Sequence, residues 1–133
     1  ITLKLKRGNQ AEIESKIKEN LKNRIKKQPQ NPSAGSFFKN PVCKDENLRK
    51  QFETDTGMKI KDQKIAAGWL IAEAGFLGKK VGGVQVSENH GNFVVNLGNG
   101  KAEDVIILIS MIKQKIREKF DIQLSEEVQL IGF

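Results

Sequence analysis

Helix-period and strand-period segments that follow one another without regular alternation predict an α+β fold for this chain of 133 residues, a single compact domain of mixed helices and a small sheet. Three observations carry that expectation. Two long segments repeat apolar residues at helical spacing, two short apolar runs bracket a polar turn, and no flexible linker, repeat or low-complexity stretch divides the chain. The length suits one domain large enough to bury a core.

Residues 1–6 alternate apolar and polar side chains, a short strand pattern that Arg7-Gly8 breaks. Asn9 then offers an N-cap, with Glu12 three residues on in the capping-box position. Ile13, Ile17, Leu21 and Ile25 form one apolar helical stripe. The remaining faces carry Lys16, Lys18, Lys22, Arg24, Lys26 and Lys27. Pro29 and Pro32 end the helix. Residues 45–56 read as a short helix with Leu48 and Phe52 inward and Gly57 as its stop. Residues 64–74 read as a helix burying Ile65 and Trp69, closed by Gly75. Residues 80–86 and 92–96 read as strands around the turn Ser87-Glu88-Asn89-His90-Gly91. Residues 101–120 give the strongest helix, with Val105, Leu108, Ile109, Ile112 and Ile116 on one face. Residues 122–124 and 128–131 are expected as closing strands.

A formal net charge of +7 points to an anionic partner, either nucleic acid or a diphosphate-bearing small molecule. One cysteine, Cys43, cannot form an internal disulfide, which fits a reducing compartment. One cysteine with one histidine argues against a structural zinc site, so no metal is expected. No apolar run reaches bilayer-spanning length and no secretory signal is visible.

The segment from Asn31 to Pro41 has the composition of a site-bearing loop. Gly35 permits close backbone approach, the prolines stiffen its flanks, and Phe37 and Phe38 can anchor it while the small polar groups face outward. Ser36 lies outside any G-x-S-x-G elbow, and His90 is the sole histidine, so acyl transfer is disfavoured. His90 is either a surface turn residue or a hydrogen-bond donor to an anion. Glu127 reads as an exposed glutamate unless the last strand brings it beside Ser36. Gly98-Asn99-Gly100-Lys101 lacks the Walker spacing, and Gly75-Phe76-Leu77-Gly78 has an apolar centre unsuited to a phosphate backbone. With no tyrosine and one tryptophan, stacking on bases is poorly supported.

The motif PSAGSFFKNP at Pro32 to Pro41 resembles the catalytic-serine motif of the UDP-N-acetylenolpyruvoylglucosamine reductases, the MurB family. AAGWLIAEAG from Ala66, GGVQVSENHGNFVVN from Gly82 and EEVQLIG from Glu126 agree in order and spacing. AEDVIILISMIKQKIREKF is similar to the family's penultimate helix. The resemblance covers the chain after Gly8 and is to the C-terminal part of those enzymes. It implies that residues 8–133 are a substrate-binding domain and that residues 1–7 are a remnant of a preceding FAD-binding domain, the whole cut from a longer chain. It implies an FAD-dependent, NADPH-consuming oxidoreductase of peptidoglycan precursor synthesis in the cytoplasm. That enzyme reduces UDP-N-acetylglucosamine enolpyruvate, and this portion alone is expected to be inactive. Carried over by motif, Ser36 is the proton donor and Glu127 the carboxylate that assists the enol intermediate. Asn40, His90 and Lys27 become substrate contacts. A family tyrosine that closes over substrate has no counterpart, since the chain has no tyrosine. The competing expectation, resting on charge, is a basic nucleic-acid-binding module without chemistry.

Overall fold

The computed structural model describes residues 2–132, and of residues 26 and 27 it describes the backbone alone. In chain order it contains α1 (Gln10–Lys27), β1 (Ser33–Ser36), α2 (Glu46–Thr56), α3 (Ala67–Glu73), β2 (Lys80–Val81), β3 (Val84–Val86), β4 (Phe93–Asn96) and α4 (Ala102–Phe120). The four strands form one antiparallel sheet in the order β1-β4-β3-β2. The α+β expectation holds.

The core lies between one face of this sheet and the apolar stripe of α4. Leu108, Ile109, Ile112 and Ile116 are buried there, together with Val84, Val86 and Val94 from the strands. Leu70 and Ile71 of α3, Leu48 and Phe52 of α2, and Ile122 and Leu124 after α4 complete it. Phe52 meets Trp69 edge-on with ring centroids 5.5 Å apart, a favoured arrangement for two aromatic quadrupoles. Burying each large apolar side chain here contributes about 1.5–3 kcal/mol.

Local chemistry explains the element boundaries. Asn9 caps α1, its side chain accepting from the N–H groups of Ala11 and Glu12. Asp45 caps α2 in the same way, and Gly57 ends that helix at φ 67°, a conformation glycine adopts without strain. Asp104 in the first turn of α4 accepts from the N–H groups of Lys101 and Gly83, at 3.0 and 3.1 Å. Those bonds hold its carboxyl below the usual carboxylate range, Lys101 contributing most, and tie the helix start to the β2–β3 turn.

Several expected boundaries move. The strand expected over 80–86 is a hairpin, because Gly82 at φ 51° turns the chain and its neighbour Gly83 packs against the backbone of Asn99. The third helix begins at Ala67 and not at Lys64. Residues 63–65 are occupied in bonds to the loop before α2, Cys43 N–H to Gln63 and Ile65 N–H to Pro41. Residues 2–9 form no strand, and Ile1 lies outside the described residues. The segments 122–124 and 128–131 form no strands, their neighbourhood contributing one bridge, Phe38 to Glu126. The serine loop, conversely, contains a strand.

The α1 stripe is the main departure in packing. Ile13, Ile17, Leu21 and Ile25 are 47%, 52%, 53% and 63% exposed, whereas Leu108, Ile109, Ile112 and Ile116 of α4 are buried.

Candidate active site at the sheet edge

β1 is an edge strand, and its pairing with β4 is irregular: Ser33 lies opposite Val95 and Ser36 opposite Phe93. Gly35 between them adopts φ 86°, so the extra residue is absorbed as a bulge that redirects the side chain of Ser36. An ideal Cβ on Gly35 meets nothing within 4 Å, so backbone conformation and not space calls for glycine here.

The residues after Ser36 are gripped from both sides. On the sheet side, Phe37 N–H donates to Asn92 O at 2.8 Å. Asn92, buried to 5% exposure, then clamps the next peptide: its Oδ1 accepts from Phe38 N–H at 2.9 Å and its Nδ2 donates to Phe38 O at 2.8 Å. On the outer side, Glu127 N–H donates to Phe37 O at 2.8 Å, and Lys39 N–H donates to Ser125 O at 2.9 Å. Phe37 and Phe38 are driven into the core and pack with ring centroids 5.2 Å apart. Their burial anchors the peptides on which Ser36, Lys39 and Asn40 are displayed.

Ser36 and Glu127 are thereby brought together on adjacent segments. Both line a cavity of about 410 Å³ with Ala34 and Val128. Both also line a second, of about 370 Å³, with Phe38, Lys39, Asn40, Lys64 and Asn92. The pair thus forms the divide between a small-residue chamber and a cationic one. Glu126, next in chain to Glu127, pairs with Lys113 of α4 at 2.7 Å. The Lys113 hydrogen bond holds the Glu126 carboxyl below its ordinary range and ties the segment that carries Glu127 to the core helix.

Asn40 enters the cationic chamber. Its Oδ1 accepts from Ala67 N–H at 3.0 Å, at the start of α3, so its NH₂ group is the end turned to other partners. His90 stands one step back, half-buried against Gly68 and edge-on to Phe93. Its Nδ1 accepts from Asn92 N–H at 3.2 Å, which assigns the remaining proton to Nε2. Burial pushes its pKa below the usual histidine value, so His90 is a neutral single donor near neutral pH. Lys27 ends α1, and its side chain lies outside the described residues. Sequence reasoning missed Asn92, Lys39 and Lys64. Asn92 sits beside a turn glycine, where an asparagine reads as turn chemistry, and the two lysines are two among the many basic residues of the chain.

Fold and site together define a small α+β domain that displays a hydroxyl and a carboxylate at a bulged sheet edge, beside a lysine-lined chamber. The family model described as UDP-N-acetylenolpyruvoylglucosamine reductase, C-terminal domain, matches residues 27–131, and the chain belongs to that family. The chain is 39% identical over 130 residues to the UDP-N-acetylenolpyruvoylglucosamine reductase of Fervidobacterium nodosum, covering 97% of this chain and 36% of that protein. It is 38% identical over 131 residues to one from Bacillus licheniformis, covering 98% of this chain and 60% of that protein. A crystal structure of UDP-N-acetylenolpyruvylglucosamine reductase (MurB) from Thermus caldophilus superposes with a TM-score of 0.63 at 33% identity, over 95% of this chain and 37% of the other. The chain therefore spans about a third of the length of several relatives that it matches nearly end to end.

Proposed function

We propose that residues 8–133 are the substrate-binding domain of a flavoenzyme. Its reaction reduces the enolpyruvyl group of UDP-N-acetylglucosamine enolpyruvate to give UDP-N-acetylmuramate, at the expense of NADPH. In this reading residues 1–7 belong to a preceding FAD-binding domain, and the enzyme works in the cytoplasm in peptidoglycan precursor synthesis. The observation that carries the reading is the shared wall formed by Ser36 and Glu127. Membership of the reductase family supports it.

The residues present fit one side of a flavin site. The chamber of Ala34, Ser36, Glu127 and Val128 is open, and apart from Glu127 its lining consists of short side chains that a flat ring can approach. Bound flavin supplies the hydride that adds to the enolpyruvyl double bond. What this chain supplies is the proton and its electrostatic setting. Hydride addition leaves negative charge on the carbon beside the substrate carboxylate, and the Ser36 hydroxyl is the donor held for that carbon. The bulge at Gly35 and the Asn92 clamp on Phe38 fix where that hydroxyl stands. Glu127 on the facing segment assists the enol form and sets the charge around the donated proton. Asn40, His90 and Lys27 are the proposed contacts to the nucleotide-sugar. His90 donates through Nε2 without carrying charge, so its contribution persists across neutral pH.

The test uses this chain joined to the flavin-binding region of a relative. Ser36→Ala is expected to leave flavin reduction by NADPH nearly unchanged and to slow reoxidation by the enolpyruvyl substrate by about 10²–10⁴-fold, the range for loss of a general acid. Stopped-flow absorbance of the flavin reads both half-reactions. An equal loss in both would remove Ser36 from the proton-donor role. The 133-residue chain by itself is expected to show no flavin-dependent NADPH oxidation.

A further inference from the structure

Asn92 lines the chamber that holds Ser36 and Glu127, yet both polar ends of its side chain are engaged by the protein's own backbone. It grips three successive peptide units. Asn92 O accepts from Phe37 N–H, in the unit that directly follows Ser36. Oδ1 accepts from Phe38 N–H in the next unit, and Nδ2 donates to Phe38 O in the one after, across 54 positions of chain. The middle unit is also held from its other side, because Phe37 O accepts from Glu127 N–H at 2.8 Å. One rigid, planar peptide therefore stands between Asn92 and Glu127, a single residue beyond Ser36. Asn92 is itself seated firmly. Its N–H donates to His90 Nδ1, and a Cβ on the intervening Gly91 would collide with Gly68 O in the first turn of α3.

We propose that Asn92 is a positioning residue for the proton transfer, setting Ser36 and Glu127 relative to each other through the Phe37–Phe38 peptide. It acts through the backbone and not on the substrate. The assignment rests on the substrate-binding reading above and deepens it. Without the side-chain bonds the loop is still anchored by the buried rings of Phe37 and Phe38. Its peptides are then free to shift, and a displacement of about 1 Å at a reacting group costs on the order of 10²-fold in rate.

The test again uses this chain joined to the flavin-binding region of a relative, with stopped-flow absorbance reading the two half-reactions. Asn92→Leu keeps the size and branching of the side chain and removes both polar ends. It is expected to slow reoxidation by the enolpyruvyl substrate about 10–10²-fold, while flavin reduction by NADPH stays within about twofold. In a chain that already carries Ser36→Ala, Asn92→Leu should cost less than about threefold more, because the group it positions is gone. Asn92→Asp gives an independent readout and decides alone if Asn92→Leu does not fold. Its ionised carboxylate can accept from Phe38 N–H but opposes Phe38 O, whereas its neutral acid restores both bonds. Its reoxidation rate, divided by that of the unsubstituted protein at each pH, should rise as the pH falls through the pKa of the new carboxyl, which burial raises. The division cancels titration of the other groups, and Asn92→Leu should show no such rise. Three results overturn the assignment and leave the substrate-binding reading standing: no slowing or equal slowing of both half-reactions by Asn92→Leu, its full cost repeated on top of Ser36→Ala, or a flat pH ratio for Asn92→Asp. If Ser36→Ala itself leaves reoxidation unchanged, the proton-donor reading falls and takes the assignment with it.

Discussion

Helices α1 and α4 are nearly the same length, 18 and 19 residues, and each repeats apolar side chains at helical spacing among many lysines. Their fates are opposite. In α4 the stripe is the centre of the core, with Leu108, Ile112 and Ile116 fully buried. In α1 every member of the stripe is about half exposed or more. Among the described residues, the side-chain hydrogen bonds made by α1 stay local, as in Gln10 to Glu14 and Arg24 to Gln28. Periodicity therefore specifies that a helix forms and which of its faces is apolar. It does not specify that anything covers that face, because burial depends on a second surface that the helix's own sequence does not encode.

The sharpest way to break this comparison is to truncate one residue on each stripe. Ile112→Ala removes a fully buried side chain and is expected to cost about 2–5 kcal/mol of unfolding free energy. Ile17→Ala removes one that is 52% exposed and should stay within about 0.5 kcal/mol. Urea unfolding of the two variants reads both values. A loss at Ile17 comparable with that at Ile112 would mean that the α1 stripe is covered in solution.

A smaller effect separates the helices by locality. Asn9 is the side-chain cap of α1, and Asn9→Ala is expected to weaken that helix by about 0.5–2 kcal/mol. Since no described residue of α1 belongs to the buried core, amide exchange should accelerate in residues 11–24 and stay unchanged in residues 108–116. Loss of protection in α4 as well would show that the two helices unfold together.

The same distinction governs how much of the molecule was legible in its sequence. Caps and stops were readable because their chemistry is local: Asn9, Gly57 and the α4 stripe stand where spacing and residue type put them. Ser33–Ser36 was not readable as a strand, because its partners are Val95 and Phe93 and the hydrogen bonds that define it come from sixty residues away. Residues 80–86 read as one strand because the turn at Gly82 is visible only once Asp104 and Asn99 close around it. At the site, Ser36 and Glu127 were identified by motif and not by residue pattern, and their adjacency is a product of the Phe37 and Asn92 hydrogen bonds. Asn92 escaped notice because a buried asparagine that clamps a distant peptide has the same local signature as a turn residue.

The smallest expected effect concerns charge, and it tests whether α4 reaches the site in a way that α1 does not. Lys113 on α4 pairs with Glu126, next to Glu127, at 2.7 Å with both side chains partly covered. The folded-state pKa of Glu126 is lowered from 4.5, chiefly by the Lys113 hydrogen bond. A lowered folded pKa means that the folded state holds this proton less tightly than the unfolded chain. The pair's stabilisation is therefore fully present above pH 4.5 and is lost as the pH falls through the depressed folded value. Lys113→Met should reduce stability by less than about 1 kcal/mol at neutral pH, the range for partly exposed pairs. The difference from the unsubstituted chain should shrink to nothing in strong acid, and it should also shrink in high salt. Urea midpoints measured across pH 3–8 follow both trends. A Lys113→Met effect that persists unchanged below the folded pKa of Glu126 would mean that the lysine acts through packing of its methylene stem and not through its charge.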